Sequence, residues 1–295
     1  MEFLSVQQTP TVKLDTLLIA FSGWADAAEG ASSAIKFVER KLTSTKFAEF
    51  DPEEFYDFSQ TRPQTTRTRD GKRRIHWPKN DFSYLVYPES ERGIMVFMGV
   101  EPNLRWRTYS NAVAQLAHDH GVETVVHVGA LLDAVPHTRA VKLSGTANRP
   151  DLNEFLENSG IKSSNYQGPT GISSSVMEAC TGKGMGYASI WGHTSHYLQA
   201  APNYRVSYTL IKVLNKLLEL PLDLAELESA ASTFDDEVGK AVAQDDQISS
   251  YVNKLEGQYD DAMPISGIPD PAEVVRDLEQ FLRGEQQRRP DDSSD

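Results

Sequence analysis

Four short apolar runs set the rhythm of the chain. Leu17-Leu18-Ile19-Ala20, Ile94-Met95-Val96-Phe97-Met98, Val125-Val126-His127-Val128 and Tyr187-Ala188-Ser189-Ile190-Trp191 are rich in aliphatic residues and too short for helices. That pattern predicts strands buried on both faces. Helical spacing alternates with them. Ala27, Ala31, Ala34, Ile35 and Val38 predict a helix over 27–42, and Ala112, Val113, Leu116 and Ala117 predict one over 104–120, closed by Gly121. Past the third run come a strand at 140–143, a short helix at 151–158 opened by Pro150, and a Ser-rich helix start after Gly171. A helix over 204–220 follows the fourth run, carried by Val206, Leu210, Val213, Leu214 and Leu217. Strands alternating with helices predict an α/β fold with a mostly parallel central sheet flanked by helices.

Residues 46–92 interrupt this rhythm. Phe47–Phe50 and Glu54–Phe58 alternate like half-exposed strands, and Arg73–Trp77 with Phe82–Tyr87 predict a hairpin turning at 78–81, within an insertion around 62–90. Arg62, Arg67, Arg69, Lys72, Arg73, Arg74 and Lys79 make this stretch basic. A short charged run is ordinarily a solvated edge, so the expectation is an exposed hairpin that blunts its edge with charge or meets another subunit, and not a nucleic-acid surface.

Charge then divides the chain. Of a net −13, residues 1–220 contribute nothing, with 23 basic and 23 acidic side chains, whereas 221–295 hold 6 and 19. The predicted organisation is a core domain at 1–220, an acidic helical appendage or lid at 221–285, and a disordered tail at 286–295. Leu224, Leu227, Ala231, Phe234, Val238, Ile248, Val252 and Leu255 give the appendage an apolar face, and Val274, Val275, Leu278 and Leu282 predict a further helix over 271–283. An acidic appendage on a neutral core opposes binding to nucleic acid. Cys180 is the single cysteine, which excludes an intrachain disulfide. With no leader-like N-terminus and no run of 18 apolar residues, the expected location is the cytoplasm, with no membrane span.

In open α/β sheets ligands sit beyond the carboxyl ends of the strands, and each buried run here delivers polar residues to that edge. The first delivers Gly23, Trp24 and Asp26, where Asp26 is a helix cap or a carboxylate facing a pocket. The second delivers Glu101 and Arg105. A cation at a helix start is unfavourable unless an anion, from a ligand or from Glu101, lies near; solvation of Arg105 is the alternative. The third, central run leads to Pro136-His137-Thr138-Arg139, and the fourth to His193 and His196. Gly168 and Gly171 frame a helix start whose free amides suit an anion or ordinary capping. Neither a P-loop nor a Gly-x-Ser-x-Gly elbow occurs, His193 and His196 lack the residues of a zincin motif, and no cofactor or metal is expected. His137 as acid or base, Arg139 steadying an anion and Asp26 are the catalytic candidates.

Gly23-Trp24-Ala25-Asp26, Pro136-His137-Thr138-Arg139, Tyr166 to Ile172, His196-Tyr197 and Pro202-Asn203, in this order over roughly 14–220, resemble the proteasome assembly chaperone 2 family in its bacterial, actinobacterial-type form. The resemblance implies a phosphorylase/hydrolase-like core, similar to purine nucleoside phosphorylases, and a homo-oligomer with a trimer favoured. It implies no known activity, since the family is named for eukaryotic relatives that help assemble proteasome rings. Relatives that dock into such rings end in a hydrophobic-Tyr-any-residue motif. This sequence ends Ser293-Ser294-Asp295, so docking through that plug is not expected. Two functions remain open: a protein binding a small, perhaps anionic, ligand at the carboxyl edge, as a hydrolase or phosphorylase, or an assembly chaperone or interaction scaffold without catalysis.

Overall fold

The structure is a computed structural model that describes residues 2–87, 91–164, 166–198 and 200–261. In chain order the strands and helices are β1 (Leu4–Val6), β2 (Lys13–Ser22), α1 (Gly30–Leu42), β3 (Thr45–Phe50), β4 (Gln64–Arg67), β5 (Arg73–His76), β6 (Asn80–Val86), β7 (Arg92–Val100) and α2 (Trp106–Asp119). They continue with β8 (Thr124–Asp133), β9 (Leu143–Ala147), α3 (Pro150–Asn158), β10 (Lys162–Ser163), α4 (Ile172–Gly182), β11 (Gly186–Ser195), α5 (Tyr204–Leu217), α6 (Ala225–Ala243) and α7 (Asp246–Asp260).

Nine strands form one sheet in the order β1-β3-β6-β7-β2-β8-β11-β9-β10. All four predicted buried runs fall in its middle, as β7, β2, β8 and β11, and these are parallel to one another. Leu18 pairs with Val96 on one side and Val126 on the other, so the apolar runs are stacked in register. The flanks differ from the mostly parallel expectation. β9 is antiparallel to β11, and β1, β3, β6 and β7 are joined by antiparallel pairs, which makes the sheet mixed. The cause lies in the connections: only residues 87–91 separate β6 from β7, far short of the dozen or so that a parallel crossover needs.

Pairing in the 46–92 stretch also departs from expectation. Arg73–His76 pairs back onto Gln64–Arg67 as a separate two-stranded hairpin, while Phe82–Val86 belongs to the main sheet. Glu54–Phe58 is no strand. Pro52–Glu54 forms a turn of 3-10 helix that buries Phe55 and Tyr56.

Side chains alternate across the central strands because successive residues point to opposite faces. Leu17, Ile19 and Phe21 pack with Tyr109 and Val113 of α2 and with Ile172 and Val176 of α4. Leu18 and Ala20 pack with Ile35 and Val38 of α1 and with Val206 and Leu210 of α5. Helices therefore cover both faces. α1 and α5 approach closely: a Cβ on Gly30 would lie 2.8 Å from Val206 Cγ1, and Ser207 Oγ donates to the Gly30 carbonyl at 2.8 Å.

α6 lies on α5, burying Leu227, Ala231, Phe234 and Val238, and α7 buries Val252 and Leu255. Met1–Glu256 form one compact unit. The helix expected over 271–283 and the tail expected over 286–295 lie outside the described residues. Among the described residues no helix is long and apolar enough to cross a membrane.

Candidate functional site

Because the four central strands are parallel, the loops after β2, β7, β8 and β11 emerge at one edge, and they bring the candidate residues together in two groups. The first gathers Gly23, Trp24, Glu101 and Gly171. Gly23 has φ +115°, a left-handed conformation that favours glycine, and a Cβ there would lie 3.3 Å from Glu101 Cβ. Glu101 Oε1 accepts the Ile172 amide at 2.9 Å and so holds the first turn of α4. A Cβ on Gly171 would come within 2.9 Å of the same oxygen and 3.1 Å of Trp24 Cε3. The free amide that an anion could have taken is thus satisfied from within. Gly168 stands at the exposed entry to this turn, against the Tyr166 hydroxyl.

Asp26 is bridged to Ala130 of β8. Its Oδ1 accepts the Ala31 and Ser32 amides at 2.9 and 3.0 Å, which caps α1. Burial raises its carboxyl above the ordinary range, partly offset by the hydrogen bonds from Ser32 and Ala31.

The second group is richer. Asp133, at the end of β8, uses Oδ1 for its neighbour's amide, Ala134, at 2.8 Å. Its Oδ2 receives Lys142 Nζ at 3.0 Å and His193 Nδ1 at 2.7 Å, and His193 Nε2 lies 2.8 Å from Ser144 Oγ of β9. Burial opposes the charge on Asp133, but the bonds from His193 and Lys142 outweigh it and hold the carboxyl well below its usual range. An ionised Asp133 can only accept, so His193 carries a proton on Nδ1, and in the neutral imidazole Nε2 is left to accept from the Ser144 hydroxyl.

His137 Nδ1 lies 2.7 Å from the Tyr197 hydroxyl, which also accepts the His137 amide at 2.8 Å. Burial lowers the His137 imidazole, against the opposite pull of the Asp235 and Glu256 carboxylates. Arg139 pairs with Glu256 of α7 at 3.2 Å, and Thr138 bonds the same carboxylate. His196 Nδ1 faces the Asp133 carbonyl at 3.1 Å and Nε2 the Tyr251 hydroxyl at 3.1 Å.

His137, Arg139, His193, Arg205, Phe234 and Asp235 are among the walls of one cavity of about 20 Å³. That is room for about one water molecule. Arg205 is paired with Asp235 at 2.5 Å.

Arg105 joins neither group. It pairs with Glu54, and its guanidinium lies over the rings of Phe3 and Phe55.

Asp133, Lys142, Ser144 and Glu256 were not singled out from the sequence, and Tyr197 entered only as part of a family motif. Position relative to His193 was the missing signal, and it exists only once β8, β9 and β11 are paired. Among the described residues, apolar side chains left exposed at this edge include Trp24, Leu132 and Tyr166, at 63%, 59% and 59% exposure, and Leu104.

A family model described as the PAC2 family matches residues 20–242. Among solved structures, the chain is similar to a PAC2 family protein from Streptomyces avermitilis, with 35% identity, 80% of this chain and 99% of that chain covered, and a TM-score of 0.73. It is also similar to the Mycobacterium tuberculosis proteasome-assembly chaperone homologue, at 32% identity, with 80% and 99% covered and a TM-score of 0.72. An archaeal proteasome activator from Pyrococcus furiosus shares the fold at 16% identity, with 82% and 99% covered and a TM-score of 0.65. Among curated proteins no significant match was found.

Proposed function

The chain belongs to the PAC2 family, and from that membership we propose that it works as an assembly factor, binding protein partners on the loop rim at the carboxyl edge of its sheet. The observation that carries this reading is the contrast at that edge. Asp26, Glu101, Arg139 and His193 are each bound to groups of the chain itself, whereas Trp24, Leu132 and Tyr166 present their apolar bodies to solvent. Exposed aromatic and aliphatic anchors on a rigid base are what a protein interface uses. The partner class follows from the Mycobacterium tuberculosis relative, which is named a proteasome-assembly chaperone homologue. On this reading the phosphorylase-like core is a rigid frame, and the acidic helical segment after residue 220 is a cover fastened over the 135–139 loop. The chain acts as a homo-oligomer.

The test is binding of the full chain to purified proteasome subunits, before and after ring assembly, measured by interferometry. Trp24→Asp and Leu132→Asp are expected to abolish binding without lowering the melting temperature. Unchanged binding in both variants, or no binding by the wild type to either form, overturns the proposal.

A second reading rests on the cavity. His137, Arg139, His193 and Arg205 converge there, so a small anion displacing the Glu256 and Asp235 carboxylates is the finer alternative. Inorganic phosphate or acetate would then raise the melting temperature of the wild type and leave Arg139→Ala unmoved.

A further inference from the structure

Two of the carboxylates at this edge hold the starts of helices: Asp26 serves the amides of α1 and Glu101 that of α4. The chain of bonds through His193 differs, because neither His193 nor Ser144 uses its side chain on a backbone group in it. A serine hydroxyl lies 2.8 Å from one imidazole nitrogen, and the other nitrogen lies 2.7 Å from a carboxylate. The three residues come from three neighbouring strands: Asp133 ends β8, His193 is in β11 and Ser144 is in β9. Lys142 keeps the carboxylate ionised. In the neutral imidazole this places the proton on Nδ1 and turns Nε2 to the hydroxyl as a base. These are the distances and the order of roles by which a serine is made nucleophilic.

We propose that Ser144, His193 and Asp133 form a nucleophilic triad that takes an acyl group from small esters. Ser144 Oγ attacks the ester carbonyl carbon while His193 Nε2 takes the hydroxyl proton. The C–O bond to the alcohol breaks, and the alcohol leaves with that proton from His193. Water then attacks the acyl-serine, giving its proton to His193, and Ser144 leaves as the hydroxyl with the carboxylic acid as product. Asp133 stays ionised throughout and stabilises the imidazolium. His193 is also a wall of the cavity under α6, and both it and Ser144 are 8% exposed. With both side chains so nearly covered, the triad is limited to small acyl groups such as acetyl.

The full chain incubated with p-nitrophenyl acetate and mapped by peptide mass spectrometry tests this. The wild type is expected to release one equivalent of p-nitrophenolate in a burst and to carry acetyl on the peptide containing Ser144. Ser144→Ala loses both, and His193→Gln slows acetylation of Ser144 by at least about 100-fold. Acetylation confined to lysines, the absence of an adduct on Ser144 in the wild type, or an equal rate in His193→Gln overturns the proposal. The wild-type measurement decides even where a variant loses its fold.

Discussion

Arg139 and Glu256, 117 residues apart in the chain, form an ion pair at 3.2 Å that ties the loop after β8 to α7. A basic residue expected to meet a ligand is met instead by a carboxylate of the acidic C-terminal segment. Excess negative charge after residue 220 thereby has a counterpart at the edge where the candidate chemistry gathers.

Glu256→Gln should loosen that fastening. Both side chains keep partial contact with solvent, at 33% and 23%, so the expected loss is small, about 0.5–1 kcal/mol. The sensitive readout is amide hydrogen exchange over residues 246–256, which should speed up while exchange in β8 stays unchanged.

Asp26 sets the start of α1. Asp26→Ala leaves the buried Ala31 and Ser32 amides without an acceptor and should cost about 1–2 kcal/mol in urea unfolding. Asp26→Asn keeps an oxygen in place and should cost markedly less. Equal losses would mean that charge, and not capping, is what matters there.

Gly129→Ala tests the packing of the central strand. A Cβ at this position would lie 2.5 Å from Trp191 Cε3 and Cζ3, on a ring wedged against the strand. Overpacking of this kind should destabilise by about 1–3 kcal/mol, measured as a lower midpoint of chemical unfolding.

His127 makes the fold sensitive to acid. It is fully buried between Phe21 and Trp191, neither ring nitrogen has a hydrogen-bond partner among the described residues, and burial pushes its pKa down to about 3. A histidine with a depressed folded pKa contributes stability that is complete above its unfolded value near 6.5 and lost as pH falls toward 3. By pH 5 the loss is about 2 kcal/mol. His127→Phe should remove this component. Unfolding free energy compared at pH 7 and pH 5 should fall less in the variant than in the wild type, and equal falls would assign the acid sensitivity to other groups.

The elements were largely legible because burial leaves a local signature. The apolar runs at 17–20, 94–98, 125–128 and 187–191 became the four parallel strands of the middle of the sheet, and the spacing in 204–220 and 224–255 became α5, α6 and α7. Motifs at 23–26, 136–139, 166–172, 196–197 and 202–203 resembled the family that the comparison with known sequences then gave.

What only the tertiary structure decided is which polar groups meet. Strand order is set by non-local pairing, and Arg73–His76 could not be read as a partner of Gln64–Arg67 from alternation, since both neighbouring stretches offer the same period. Likewise nothing local marks Ser144: it becomes notable only when β11 pairs with β8 on one side and β9 on the other, setting His193 between a carboxylate and a hydroxyl. Periodicity records whether a side chain is buried, a property of one position and its near neighbours. A hydrogen bond depends on the placement of two residues far apart in sequence, and that placement is fixed by the folded sheet.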